Sequence, residues 1–442
     1  MTAHAHPHVP TREELAEIVA RPVSGLLARV ALALAAVGAL VFLAGIFVAP
    51  ERAWRALHYN WLFFTTMSSA GVMFVAAQRI TTARWSRSTI RIVEGYVAFL
   101  PVAFLLLALV VLVGRGHVFP WFDETPSVRE KAIWLGRGFF TARVLGVFLV
   151  LTLLQLWYVW TCLRLDVAIL PEWGTRWARG VRERMRRSYR DERRELHSTH
   201  SLQGKLAVVM AIVFGFGWCD LAFDLSMALD VHFQSTLYGW WFFIGGLLAA
   251  LMMFSLLARW WRTQLAVPHL ITDVNLHDIG KLCFAFTAFW GYLTFGQYLV
   301  LWYGNIGEET HFPRLRLIGA WLPLTVAVIF LVFVLPFFGL MGKAPKVRTR
   351  TMALFAVGSL IGVWLLRYLE VYPSLYGPVD ALPFGLWEIG IALGVFGLWM
   401  TCYFAFMNTF PRMRVFMMTS PYRDEVQVPV DPRTMEPLPA HE

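Results

Sequence analysis

Apolar runs of about twenty residues recur along the chain, and short polar segments separate them. An α-helix needs about 20 mainly apolar residues to cross a bilayer, so this pattern predicts a polytopic helical membrane protein. No strand-like alternation recurs at the spacing of a membrane β-barrel. Ten spans are predicted, at about 26–49, 58–78, 92–113, 133–162, 202–224, 234–258, 276–303, 316–341, 351–370 and 386–406.

Composition agrees with an all-α membrane protein. The chain has 442 residues, of which 58% are hydrophobic and 15% are charged. A soluble chain would carry about 25% charged residues. Membrane insertion, rather than a water-soluble core, therefore accounts for the apolar content.

The placement of Lys and Arg predicts the orientation of the spans. The net charge is +10, and the basic residues concentrate in 79–91, 163–201, 259–262 and 343–350. Cytoplasmic loops collect basic residues, so these segments are expected on the cytoplasmic side, with both termini there. The excess positive charge then needs no nucleic-acid partner.

This orientation divides the chain into three parts. Residues 1–25 are an N-terminal cytoplasmic segment, 26–406 are the transmembrane domain, and 407–442 are a C-terminal cytoplasmic tail. The basic loop 163–201 is expected to form a solvated amphipathic helix, which either anchors the orientation or binds anionic lipid or a partner. Thr11 and Glu14 form a T-x-x-E box that predicts a short helix before the first span.

No metal or covalent cofactor site is predicted. The four cysteines stand far apart, without the C-x-x-C-H of haem attachment or an iron–sulfur run. His4, His6 and His8 lie in a polar N-terminal stretch that is expected to be a tail rather than a metal site.

Ionisable residues within spans are costly and are candidates for function. On the predicted cytoplasmic side these are Glu94, His277, Asp278 and Lys281. His277 and Lys281 are four residues apart and share a helix face. The cluster is either a cytoplasmic proton path or a helix cap by Asp278 with Lys281 reaching the interface.

A larger set of ionisable residues is predicted on the outer side. Asp220 and Asp224 lie one turn apart, so their mutual repulsion favours proton binding. Their counter-charges would be Arg137 and Arg143 if the fourth and fifth spans pack together. The set serves either as a proton path or quinone site or as a structural salt-bridge network. Its members are Arg137, Arg143, Asp220, Asp224, Asp230, His232, Glu308 and Glu309.

Residues 277–310 read HDIGKLCFAFTAFWGYLTFGQYLVLWYGNIGEET. Between their ionisable ends lie Tyr292, Thr294, Gln297 and Tyr298. The stretch resembles the signature of the ActF-type membrane subunit of bacterial alternative complex III, in the NrfD/PsrC-like superfamily. It departs from that signature at Gly296 and Gly307.

Two further segments resemble the same family. FDLSMALDVHFQSTLYG at 223–239 keeps the family's acidic and histidine positions, although Leu225, Val231 and Phe233 depart from it. AAQRITTARWSRSTIRIVE at 76–94 is a weaker match. The resemblance covers most of residues 55–340.

The resemblance implies ten transmembrane helices, with two four-helix bundles formed by spans two to five and six to nine. It also implies a place in a quinol:cytochrome c oxidoreductase of a respiratory chain in the bacterial inner membrane. Haem c and iron–sulfur clusters would belong to partner subunits. The expected partners are an NrfD-like sister subunit, a multihaem cytochrome c, an iron–sulfur protein, small membrane subunits and lipid.

For this chain the resemblance implies proton half-channels and leaves a quinone site open, with no redox cofactor of its own. Two alternatives remain. A stand-alone transporter would show helices broken at corresponding places in two halves. A scaffold subunit would carry charges that serve only structure.

Overall fold

The computed structural model describes residues 10–21, 25–122 and 131–426, so His4, His6 and His8 lie outside the described residues. Helix is the only regular secondary structure within these ranges. The α-helices are α1 Arg12–Ala20, α2 Leu26–Val48, α3 Pro50–Ile80, α4 Ile90–Glu94, α5 Leu100–Leu112, α6 Arg115–Val118, α7 Arg137–Ile169, α8 Arg179–Arg187, α9 Glu192–Leu225, α10 Tyr238–Gln264, α11 Asp273–Gly304, α12 Gly307–Leu315, α13 Trp321–Ile329, α14 Leu335–Gly339, α15 Lys343–Val347, α16 Thr349–Tyr376, α17 Leu386–Thr409 and α18 Val415–Thr419.

Nine helical stretches of the described residues are long and apolar enough to cross a membrane. They are α2, α3, Ile90–Leu112, α7, the stretch that contains α9, α10, Trp321–Gly339, α16 and α17. The prediction of a polytopic α-helical membrane protein is confirmed at this level.

The predicted seventh span corresponds to α11, which has 32 residues. At about 1.5 Å per residue it is roughly 48 Å long, which is enough to cross a bilayer. Its Gly, Thr, Tyr, Trp and Gln residues make it less apolar than the nine stretches above. A tenth span therefore stays a prediction.

Two spans contain an irregular turn. The third changes from α4 to a 3₁₀ turn at Gly95–Phe99 and then to α5, which has a proline in its first turn. The eighth has a π-helical turn at Phe330–Val334, followed by Pro336. Proline donates no backbone hydrogen bond to the preceding turn, which accounts for irregular geometry beside it.

Helix α3 lies at the centre of the packing. It is buried over most of its length and contacts α5, α9, α10, α16 and α17. Helix α7 packs against α5 and α9, while α10 packs against α11 and α16. The first span, α2, packs on the last, α17, where a Cβ added to Gly38 would lie 2.0 Å from Gly394 Cα. Only glycine permits this approach.

The segments between spans differ from their predicted extents. Helix α7 continues to Ile169 and α9 begins at Glu192, so only the middle of the predicted loop 163–201 lies outside these two helices. Residues 410–426 fold back onto the helices, where α18 packs against α1 and α7. Arg412 Nη1 donates to the carbonyl of Arg21, just after α1, at 2.6 Å. Residues 427–442 of the predicted tail lie outside the described residues. Helix α1 begins directly after Thr11, whose Oγ1 accepts from Glu14 N at 3.2 Å.

Candidate functional site

Asp224 is the buried centre of a site at the end of α9, here called the Asp224 site and comprising Trp134, Arg143, Asp220 and Asp224. Arg143 donates two hydrogen bonds to the Asp224 carboxylate, from Nη2 at 2.7 Å and from Nε at 2.8 Å. Trp134 Nε1 donates a third, at 2.9 Å. Such bidentate guanidinium–carboxylate pairs are strong and directional.

Asp220 lies one turn earlier on α9. Its Oδ1 is 3.7 Å from Arg143 Nε, and its Oδ2 is buried without a hydrogen-bond partner. The predicted packing of the fourth and fifth spans is present, and Arg143 supplies the counter-charge. Arg137 Nε donates to the Phe122 carbonyl at 2.7 Å.

The other predicted outer-side residues lie near the start of α12. Asp230 is buried, and its Oδ2 is 3.1 Å from Nδ1 of His311, a residue that sequence reasoning missed. The backbone N–H of His232 donates to Asp230 Oδ1, while the His232 residue is exposed. Glu308 is exposed and Glu309 is half-buried. None of these residues pairs with Asp224 in the described structure.

Glu94 belongs to a buried cluster at the opposite ends of the helices, here called the Glu94 site: Arg91, Glu94, Asp166 and Arg414. Arg91 bridges Glu94 and Asp166. Arg414 Nε donates to Glu94 Oε1 at 2.6 Å, and Phe416 N donates to Asp166 Oδ1 at 2.7 Å. Although burial opposes its charge, the Glu94 carboxylate raises the pKa of Arg414.

His277, Asp278 and Lys281 therefore stand apart from Glu94. Lys281 Nζ pairs with Asp278 at 2.7 Å, with the lysine side chain 56% exposed. Asp278 does not cap α11, because Thr272 does so together with Asn275. The capping alternative for Asp278 is thus wrong.

Gly280 lets α15 approach this part of α11. A Cβ at Gly280 would lie 2.7 Å from Lys346 Cβ, and Lys346 Nζ lies 5.2 Å from the Phe284 ring centroid. Burial, and then the neighbouring Lys281, lower the pKa of Lys346. The cluster at the start of α11 is thus flanked by a second lysine.

A cavity of about 510 Å³ lies among α10, α11, α12, α13 and α16, and is here called the α11 cavity. Three of the predicted middle residues line it: Thr294, Gln297 and Tyr298. The fourth, Tyr292, does not line it and is 69% exposed. Most of the remaining wall is aromatic or aliphatic.

The α11 cavity has polar groups at its buried edge. Glu370 lines it and is paired with Arg367 Nη1 at 2.7 and 2.8 Å. Trp290 also lines it, and Trp290 Nε1 is buried without a hydrogen-bond partner. Thr294 Oγ1 accepts from Trp241 Nε1 at 2.8 Å. The cavity thus combines an apolar space with the polar side chains of Thr294, Gln297 and Glu370.

A neighbouring cavity of about 600 Å³ connects these features, and is here called the Trp134 cavity. Gln297 and Leu301 line both cavities, while Trp134 lines this one and donates to Asp224. Glu309 and Lys131 also line it. Burial lowers the pKa of Lys131. Gln297, Glu309 and Asp224 are therefore linked by one series of adjoining spaces and contacts.

No protein-family model matches the chain, and neither does any curated protein. The arrangement itself can bind an apolar ligand with hydrogen-bonding groups and can exchange protons at separate carboxylates. The described residues contain no group of three or more His, Cys, Asp or Glu side chains that could hold a metal ion.

Sequence reasoning also missed a polar seam on α3. Ser68 and Ser69 are buried and accept from Trp399 Nε1 and Trp218 Nε1, each at 2.8 Å. Asn60 Oδ1 accepts from Trp364 Nε1 at 2.8 Å, and His58 Nε2 lies 2.7 Å from the Leu225 carbonyl. Small polar residues in a helix often bond only their own backbone, so their presence in the predicted span gave no distinctive signal.

Proposed function

We propose that the chain is a multi-pass subunit of a quinol:cytochrome c oxidoreductase like alternative complex III, in the bacterial inner membrane. In this proposal α11 is the tenth span, both termini are cytoplasmic, and spans two to five and six to nine form two four-helix bundles. The motif at 277–310 and the basic segments support it.

The α11 cavity is the observation that carries a quinone role. An apolar pocket with a few convergent polar groups is the usual form of a small-molecule site. Quinones are apolar rings with two carbonyl oxygens, and quinols have two hydroxyls instead. The side-chain amide of Gln297 can donate to a quinone oxygen, and Glu370 can accept from a quinol hydroxyl.

Oxidation of one quinol to quinone releases two protons and two electrons. A haem c or an iron–sulfur cluster of a partner subunit would supply the electron acceptor. In this proposal Glu370 accepts one proton. The Asp230–His311 pair is the next acceptor, because α12 carries both His311 and part of the cavity wall. Protons then leave through the Trp134 cavity and the Asp224 site.

The opposite half-channel begins at His277, Asp278 and Lys281. Glu94 is a second cytoplasmic-side group, in a separate buried cluster. The Ser68–Ser69 seam of α3 lies in the interior between the two ends and has hydroxyls that can hydrogen-bond water.

Quinone binding to the purified full chain tests the proposal. A quinone in the α11 cavity is expected to quench the fluorescence of Trp241 and Trp290. It is expected to bind Trp290→Phe at least threefold more weakly, because part of the aromatic wall is lost. Trp302→Phe is the matched control, since Trp302 lies on the same helix and is 64% exposed. Equal quinone affinity in all three proteins would contradict a quinone site at this cavity.

Co-purification distinguishes the complex from a stand-alone transporter. The chain is expected to elute with a multihaem cytochrome and a large iron–sulfur protein from native membranes. The irregular turns fall in the third and eighth spans, which are not corresponding members of spans two to five and six to nine. This disfavours the transporter alternative. Transport activity of the chain alone would reverse that preference.

A further inference from the structure

A second large cavity lies at the basic end of the helices, away from the α11 cavity. It measures about 670 Å³ and is bounded by the end of α3, the segment 81–90, part of α9 and residues of the C-terminal segment. It is here called the Arg79 cavity. None of the α11-cavity residues lines it.

Its lining is cationic. Among the described residues at its wall there is no Asp or Glu. Hydroxyl and amide groups come from Gln78, Thr81, Thr82, Ser86 and Gln203. Four arginines and a histidine complete the polar lining: Arg79, Arg84, Arg87, Arg414 and His200. Guanidinium groups around one space favour an anion there.

Arg79 keeps donor capacity that its hydrogen bonds do not use. Arg79 Nη2 donates to the His200 carbonyl at 2.9 Å, which is a neutral acceptor. Arg79 Nε is buried without a hydrogen-bond partner. Arg414 is neutralised by Glu94, but Glu94 is fully buried and also pairs with Arg91, so it does not offset Arg79.

The backbone beside the cavity is strained. Thr82 has φ +51°, and the turn closes with a hydrogen bond from Ala83 N to the Gln78 carbonyl at 2.9 Å. Glycine usually occupies this position after a helix, because the left-handed conformation is unfavourable for residues with a Cβ. Thr82 lines the cavity. Such strain concentrates at ligand sites.

We propose that the Arg79 cavity binds a phosphate-bearing anion. Guanidinium groups match phosphate oxygens with paired hydrogen bonds, and hydroxyl and amide groups complete such sites. The source is either the headgroup of an anionic phospholipid, which basic membrane-proximal residues attract, or a soluble phosphate. The cavity also has apolar wall residues, including Ile90, Leu165 and Met417, which suit a lipid.

The test uses the purified full chain in detergent and three separate probes: phosphatidylglycerol, phosphatidylcholine and inorganic phosphate. Native mass spectrometry measures bound mass, and thermal unfolding measures ligand stabilisation. Arg84→Gln and Arg79→Gln are expected to weaken anion binding at least tenfold. Arg179→Gln removes the same charge from exposed α8 outside the cavity and is expected to bind as the wild type does.

Preferential binding of phosphatidylglycerol that the cavity variants lose identifies a lipid headgroup site. Binding of inorganic phosphate with the same sensitivity identifies a soluble anion. Equal retention of phosphatidylglycerol and phosphatidylcholine, or equal binding by wild type and Arg84→Gln, would overturn the proposal. Arg84→Gln provides the decisive comparison if Arg79→Gln fails to fold, since Arg84 is only half-buried.

Discussion

Arg367 and Glu370 lie one turn apart on α16 and form a buried ion pair in which both carboxylate oxygens are within 2.8 Å of Arg367 Nη1. Arg367 is also fixed by the Phe242 carbonyl, to which its Nη2 donates at 2.6 Å. The pair therefore holds the carboxylate of Glu370 in a defined position at the edge of the α11 cavity.

Glu370→Gln is expected to reduce quinol oxidation by the purified complex by about 10²–10⁴-fold, the usual contribution of a positioned proton acceptor. Leaving Arg367 uncompensated also costs about 3–5 kcal/mol of stability, so thermal unfolding must be measured alongside turnover. Glu388→Gln is the matched control, since Glu388 is an equally buried carboxylate paired with Arg52, away from the cavity. Equal loss of turnover in both variants would assign Glu370 a structural role.

Asp224→Asn is expected to lower proton release per electron while the subunit still assembles. The amide keeps the shape of the carboxylate and a hydrogen bond with Arg143, but it does not exchange protons at neutral pH. Proton release by the complex in liposomes measures the effect. Asp273→Asn, at the exposed start of α11, is the control. Unchanged coupling in Asp224→Asn would remove the Asp224 site from the proton route.

His277→Gln tests the other half-channel. The variant is expected to slow proton uptake from the cytoplasmic side while quinone binding to the α11 cavity stays the same, because the two sites share no residue. Uptake is measured with a pH-sensitive dye inside oriented liposomes. If uptake and turnover both match the wild type, the cluster at the start of α11 serves only structure.

Arg414→Gln is expected to loosen residues 410–426. The Arg414 side chain joins this segment to Glu94. When it is lost, the buried carboxylates of Glu94 and Asp166 share the charge of Arg91. Hydrogen–deuterium exchange should rise in α18 and change little in α10. Arg179→Gln on α8 is the control for loss of a surface charge. Exchange in α18 that equals the wild type would show that other contacts hold this segment.

Low pH is expected to weaken the attachment of α8, which Arg182 and Arg186 make to Glu172. Although partial burial opposes ionisation, the hydrogen bonds and charges of Arg182 and Arg186 lower the pKa of Glu172. A carboxyl with a depressed folded-state pKa stabilises the fold above its unfolded pKa, and this stabilisation is lost as pH falls through the folded value. Hydrogen exchange of α8, corrected for intrinsic pH dependence, should therefore rise below about pH 4.5. Glu172→Gln should lack this pH-dependent rise.

The length of the apolar runs predicted most of the spans. Each spanning helix has to satisfy its own backbone hydrogen bonds in lipid, which is a local requirement. Apolar length was least informative for α11, where aromatic and small polar residues replace aliphatic ones. The pairing of Arg143 with Asp224 was also predictable, since adjacent spans joined by a single connection usually pack together.

The Glu94 site could not be predicted in this way. Arg91 and Asp166 are 75 positions apart, and Arg414 and Glu94 are 320 apart. Asp166 lay at the start of the predicted loop and Arg414 in the predicted tail, so their burial depends on chain segments folding back. The α11 cavity likewise requires several helices. Residue type alone does not distinguish Tyr298, which lines the cavity, from Tyr292, which does not.

The contact between α2 and α17 has a consequence for biosynthesis. Helix α2 precedes α17 in the chain, so it finds this partner only after the helices between them and α17 have been made. Only 17% of the most apolar window of α2 is buried even after this pairing, so the helix has to persist in lipid alone while the intervening spans insert. The high aliphatic content of α2 makes it stable in lipid during this interval, and the Gly38–Gly394 contact forms once α17 has been made.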